Sequence, residues 1–222
     1  MDQQGIIKAI IFDMDGTLIN STEIEYQAWR NTFEDYGVAL PYNCYIEDLG
    51  TKSIELVKMY LKHVPESEWD KAVRNKQEYI KEIINKQGIY FLPYAEQFLN
   101  QVKQFPLKMA LATSSRREKV DFIFKKLKLS TYFDTVITGD DVKNGKPDPE
   151  IFLKAAGQLH LSPQEVIVIE DAANGVKAAK NGNMKCMAIT SSVAQEKLQK
   201  ADFIFDSYQD LDLGQVLVKL SA

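Results

Sequence analysis

The run Ile6-Ile7-Lys8-Ala9-Ile10-Ile11-Phe12 is almost continuously apolar and rich in β-branched residues. Such a run has no side to give to water, which predicts a strand buried on both faces, as in a parallel sheet. Similar runs follow at Leu107–Ala112 and Val166–Ile169, with shorter ones at Val136-Ile137, Lys185–Ile189 and Phe203–Phe205. Helical spacing separates them: Val120, Ile123, Phe124 and Leu127 share one face, as do Phe152, Ala155, Ala156 and Leu159. A helix from Pro93 to about Gln104, others near Asn174–Asn181, Val193–Lys200 and Leu211–Leu220, and a capping box at Ser162–Glu165 complete the series. Strands alternating with helices predict an α/β fold, a parallel sheet covered by helices on both faces. The 222 residues suffice for a sizeable core.

Open α/β sheets build their ligand crevices at the carboxyl ends of their strands, so the polar residues found there carry the most weight. Asp13-Met14-Asp15-Gly16-Thr17 follows the first run. Two carboxylates beside a glycine that permits a sharp turn read either as a reactive pair or as an ordinary Asp-Gly turn. Thr113-Ser114-Ser115 ends the second run. A hydroxyl and exposed N–H groups suit a phosphate oxygen, and they also suit a helix N-cap; the two are compatible, since a helix N-terminus is itself an anion site. Lys143-Asn144-Gly145-Lys146-Pro147-Asp148-Pro149 follows the third, and its prolines hold Lys146 in a stiff loop, against the default of a solvated lysine. Glu170-Asp171 ends the fourth, as a turn or as hard oxygen ligands of the kind Mg²⁺ prefers.

Between Ser21 and about Tyr90 there is no convincing strand. Thr22 and Glu25 form a potential capping box for a helix whose Tyr26, Trp29, Phe33 and Tyr36 recur every three or four residues, up to Gly37. A short helix over Pro41–Leu49, a third bearing Ile54, Val57 and Leu61, and a fourth from about Ser67 to Lys86 are expected next. An all-helical insertion with its own small core results, dividing the chain into 1–20 plus 91–222 and 21–90.

Composition excludes several classes. A net charge of −4 with no basic cluster argues against nucleic acid, and Arg116, Arg117 and Lys119 are expected on a solvated helix face. Cys44 and Cys186 have no metal-site spacing and read as reduced thiols, while His63 and His160 alone make a histidine-based site improbable. No run approaches membrane-spanning length and no signal-peptide pattern opens the chain, so a cytoplasmic location is expected.

In order and in kind, Asp-x-Asp-Gly-Thr-Leu, the Thr113 hydroxyl, Gly-Lys-Pro-Asp-Pro and Glu-Asp-Ala-Ala-Asn-Gly resemble the four motifs of the haloacid dehalogenase superfamily, mostly Mg²⁺-dependent phosphatases. The resemblance covers essentially the whole chain. It implies a Rossmann-like core with the helical insertion as a cap that closes over the site and selects substrates. Asp13 would be the nucleophile that becomes an aspartyl-phosphate, and Asp15 the general acid/base. Mg²⁺ would be held by Asp13, the Asp15 carbonyl and Asp171, with Glu170 in support. Thr113 and Lys146 would cradle the phosphate, with Ser114 as an extra donor and Glu25 and Lys52 among the cap residues facing substrate. An acid at Asp15 departs from the dehalogenases, whose halide leaves without a proton.

Within the superfamily the chain is similar to β-phosphoglucomutases and to phosphatases of glycolate, sugar and polyol phosphates. Glu23, Ala28 and Trp29 match a Glu-x-His-x-x-Ala-Trp frame of the mutases, with Glu25 in the histidine's place. The basic residues that mutases use in the cap to hold a second phosphate lack clear counterparts, with Lys52, Arg74 and Lys76 as candidates. The resemblance therefore favours a phosphatase of a small phosphorylated metabolite, with a mutase as the alternative and a non-catalytic phosphate-binding scaffold as the reading from another class.

Overall fold

The computed structural model describes residues 7–209 and 211–221; Ile6 of the first predicted run lies outside the described residues. Six strands, β1 (Ala9–Phe12), β2 (Lys108–Ala112), β3 (Thr135–Ile137), β4 (Val166–Glu170), β5 (Lys185–Ile189) and β6 (Phe203–Phe205), form one parallel sheet in the order β3-β2-β1-β4-β5-β6. The chain grows outward from β1 on one side, then crosses back to start again at β4. Strand order thus reverses between β1 and β4, where side chains beyond the strand ends face an open crevice.

The period-two alternation of a strand divides the core. Ile10, Phe12, Leu111, Ile167, Ile169 and Met187 pack on one face with α5 (Ala95–Val102), α6 (Arg117–Leu127) and α9 (Leu213–Ser221). Ala9, Ile11, Ala110, Ala112, Val168 and Ala188 point to the other, against α7 (Glu150–Gln158) and α8 (Ala173–Asn181). The second face is richer in alanine, which lets its helices approach closely.

Between β1 and α5 come α1 (Thr22–Glu34), α2 (Tyr42–Glu47), α3 (Ser53–Tyr60) and α4 (Glu66–Gln87), with no strand among them. Trp29, Phe33, Leu56, Val57, Leu61 and Val73 form a separate cluster there, in which Phe33 stacks on Trp29 at 5.1 Å and on Tyr60 at 5.2 Å. The separation is incomplete, because Ile24, Ala28, Ile80 and Ile84 of α1 and α4 join the core of the sheet.

Three expectations fail locally. The segment predicted as a helix over Val193–Lys200 holds only a single 3₁₀ turn, Gln195–Lys197. Val193 and Leu198 both reach the core beside the sheet, and five residues apart they cannot share one face of an α-helix. The Thr22–Glu25 capping box does not form: the Thr22 hydroxyl meets that of Ser192 at 2.9 Å, and the Glu25 carboxylate takes two lysines instead. Lys119 is not on a solvated face; it is buried.

Candidate active site

β1 delivers Asp13 to the sheet edge, and the Asp13 N–H donates to the carbonyl of Ile169 at 3.0 Å. The chain then turns through Gly16 at φ +70°, where a Cβ would collide with the Asp171 carboxylate and the Ser192 hydroxyl. The turn is tied from outside. Tyr208 Oη donates to the Thr17 carbonyl at 2.9 Å, the Ser191 hydroxyl donates to that of Gly16, and Thr17 Oγ1 donates to Asp171 Oδ1 at 3.2 Å.

β4 brings Glu170 and Asp171 alongside. Lys146, from the stiff loop, lies between Asp13 Oδ1 and Glu170 Oε1 at 2.6 Å from each, its ammonium over the ring of Phe152. The other oxygen of Glu170 accepts the N–H groups of Asp171 and Ala172. Burial opposes a charge on Lys146, but Asp13 and Glu170 outweigh it and hold the ammonium protonated. Asp13 is pushed up to about 7 by burial, with Lys146 pulling against it and the neighbouring Glu170 and Asp15 adding to it. Asp171, buried beside Glu170 and Asp13, is pushed well above the usual carboxylate range.

Asp13, Glu170 and Asp171 each offer a carboxylate oxygen within 4.8 Å of the others. Three buried acids against one lysine leave negative charge uncompensated, and the donor set is all hard oxygen. That chemistry fits Mg²⁺, which takes one or two carboxylates together with phosphate oxygens and water.

Asp15 has a different environment. Its Oδ1 accepts from Ser21 Oγ and Lys119 Nζ, both at 2.5 Å, and its Oδ2 from Ser115 Oγ at 2.7 Å. Burial works against the charge, yet Lys119 and these hydrogen bonds hold the carboxyl below its ordinary value. Lys119 in turn donates to Glu25 Oε1 at 2.6 Å, and Lys76 reaches Glu25 Oε2 at 2.5 Å while lying over the Trp29 ring. Burial and the nearby Lys119 lower the Lys76 value against the pull of Glu25.

A cavity of about 60 Å³ opens where these groups meet, lined by Asp13, Asp15, Glu25, Trp29, Lys76 and Thr113 among others. It has room for a few water molecules. The structure thus brings together Asp13, Asp15, Glu25, Thr113, Ser114 and Asp171, with Lys146 directly behind Asp13. The Ser114 hydroxyl is already engaged, donating to the Gly50 carbonyl at 2.7 Å. Lys52 is not brought to the cavity: its ammonium donates to the Val142 carbonyl at 2.7 Å, and it lines a neighbouring hollow with Arg116 and Asp140. Sequence reasoning missed Lys119 and the pairing of Lys76. The available signal was register, since Lys119 lies four residues before Ile123 and Lys76 between Val73 and Ile80, on inward faces.

A family model described as haloacid dehalogenase-like hydrolase matches residues 10–189, from β1 to the end of β5. The chain belongs to that family. A phosphorylated carbohydrates phosphatase of Thermotoga maritima is 32% identical over 81% of this chain and 83% of its own length. The protein Suppressor of Quenching 1 of Arabidopsis thaliana is 33% identical over 97% of this chain, which spans only 21% of that protein. Among solved structures, a β-phosphoglucomutase from Clostridium difficile superposes with a TM-score of 0.87 at 28% identity, covering 96% of this chain and 97% of its own. Among the described residues no helix is long and apolar enough to cross a membrane.

Proposed function

We propose that this hydrolase is a Mg²⁺-dependent phosphatase of small phosphorylated sugars or polyols, working through an aspartyl-phosphate on Asp13. The observation that carries the reading is the division of labour between two acids two residues apart. Asp13 sits against Lys146 and the acidic group, whereas Asp15 is turned into a separate set of donors. A nucleophile and a proton carrier need such unlike surroundings.

In this reading Asp15, which rests as a carboxylate, first takes up a proton from solvent or from the substrate's phosphate. Asp13 then attacks phosphorus, the P–O bond to the leaving alcohol breaks, and Asp15 gives that oxygen its proton. Asp15, now a carboxylate, takes a proton from water, whose oxygen attacks phosphorus; the bond to Asp13 breaks and inorganic phosphate leaves. Lys146 holds Asp13 in place and offsets the crowding of negative charge, and Thr113 completes the phosphate cradle. Bound by Asp13, Asp171 and the Asp15 carbonyl, Mg²⁺ would neutralise charge between phosphate and carboxylates. Residues 21–90 would act as the cap over the core of 1–20 and 91–222, with Glu25 facing the leaving group.

The T. maritima relative's name supports a carbohydrate phosphate as substrate. The likeness to a β-phosphoglucomutase favours a phosphomutase as the second reading, against which Glu25 stands in the place of the mutases' histidine. A panel of phosphate esters assayed with Mg²⁺ and with EDTA, beside Asp13→Asn, is the test. Phosphate released from sugar or polyol esters, and lost with EDTA and in the variant, is expected. Isomerisation of β-glucose 1-phosphate without release would replace the phosphatase by the mutase, and silence in both assays would leave a scaffold.

A further inference from the structure

Lys119 belongs to none of the four motifs, yet its side chain is 1% exposed and its ammonium donates to three groups at once: Asp15 Oδ1 at 2.5 Å, Glu25 Oε1 at 2.6 Å and Ser115 Oγ at 3.0 Å. With Ser21 and Ser115 it holds both oxygens of Asp15, and of the three donors it alone is charged. We propose that Lys119 is the positioning residue for Asp15, fixing the carboxylate in the orientation from which it exchanges protons with the leaving alcohol and with water. The proposal rests on the phosphatase reading above.

The geometry argues for positioning rather than charge balance alone. Lys119 leaves from the first turn of α6, one turn after Ser115, so two donors from one rigid stretch grip opposite oxygens of the same carboxylate. Glu25 occupies a second donor of the ammonium and Ser115 Oγ a third, which leaves Lys119 no freedom to swing away. A proton-transfer group displaced by about 1 Å loses roughly 100-fold in rate.

p-Nitrophenyl phosphate separates the two roles of Asp15. Nitrophenolate departs without a proton, so phosphorylation of Asp13 asks little of Asp15, whereas hydrolysis of the aspartyl-phosphate needs water deprotonated. Lys119→Met is therefore expected to give a burst of nitrophenolate equal to the enzyme concentration, then turnover about 100-fold below wild type. Lys119→Gln, which keeps an N–H donor, is expected to show the same burst with a smaller loss. Folded variants that turn over like wild type, or lose rate with no burst, overturn the proposal; so does failure of both to fold, which would assign Lys119 to stability alone. An inactive wild type would instead bring down the phosphatase reading, and this proposal with it.

Discussion

Asp13 has an ordinary carboxyl value of 3.8 and is held near 7 in the fold, chiefly by burial. For an acid raised in this way, the contribution to folding is complete below the unfolded value and is lost as pH rises through the folded one. Melting in EDTA should accordingly fall from pH 4 to pH 8, with Asp13→Asn flattening that fall and added Mg²⁺ restoring stability mainly at the alkaline end. Lys146→Met leaves Asp13 and Glu170 facing each other without their cation, and urea denaturation should show a loss of about 3–5 kcal/mol. That Asp13, Asp15, Thr113, Lys146 and Asp171 meet at one edge was legible because each comes after a recognisable strand and parallel strands bring their carboxyl ends together; their proposed roles came from the resemblance of the motifs. Lys119 was not, because a helix lysine is solvated by default and the acid that buries it lies 94 residues away in sequence.

Among the elements, β1 carries most. Phe12 is fully buried, edge-on to Phe98 at 6.3 Å and to Phe133 at 6.1 Å, and it directly precedes Asp13. Phe12→Ala should cost about 3–5 kcal/mol by chemical denaturation. Turnover should fall as well, since the cavity left behind adjoins the residue that the strand positions. Continuous apolar runs made β1 and β4 readable, and the prolines around Lys146 marked the start of α7. The stretch after β5 misled because Val193, Gln195, Glu196, Lys197 and Leu198 are acceptable in a helix, and only the need of Val193 and Leu198 for the same core decides otherwise. Propensity is local, and that need is not. The Thr22–Glu25 signal failed for a related reason: a buried ion pair with Lys119 and Lys76 outcompetes a hydrogen bond at a helix end.

At the scale of the whole molecule, the helical insertion is docked onto the sheet's functional edge. Ser114 bonds to Gly50, Asn174 to the Leu49 carbonyl at 3.2 Å, and Lys119 to Glu25. Glu25, Trp29 and Lys76 of the insertion wall one side of the cavity at Asp13, so movement of the insertion is expected to accompany turnover. A Cβ built on Gly50 would stand 3.8 Å from that of Asn174, within the span of a disulfide. Gly50→Cys with Asn174→Cys should be inactive when oxidised and recover with dithiothreitol, despite the strain of a side chain at φ +81°. Equal activity in both redox states would show that the insertion need not open there. The inserted helices were legible as a block, but their sharing of α1 and α4 with the core of the sheet was not, since one helix can serve two clusters on different turns.

The strand order β3-β2-β1-β4-β5-β6 also bears on how the protein is made. The ribosome releases β1 first, yet its two neighbours are encoded about a hundred and about a hundred and sixty residues later. A nascent chain that has reached residue 150 therefore displays a hydrophobic strand with one side unpaired, beside an Asp13 that still lacks Glu170 and Asp171. Such exposure invites mispairing with other chains. Synthesis thus completes the acidic cluster only when β4 slots in beside β1, and until then the exposed strand is an aggregation hazard.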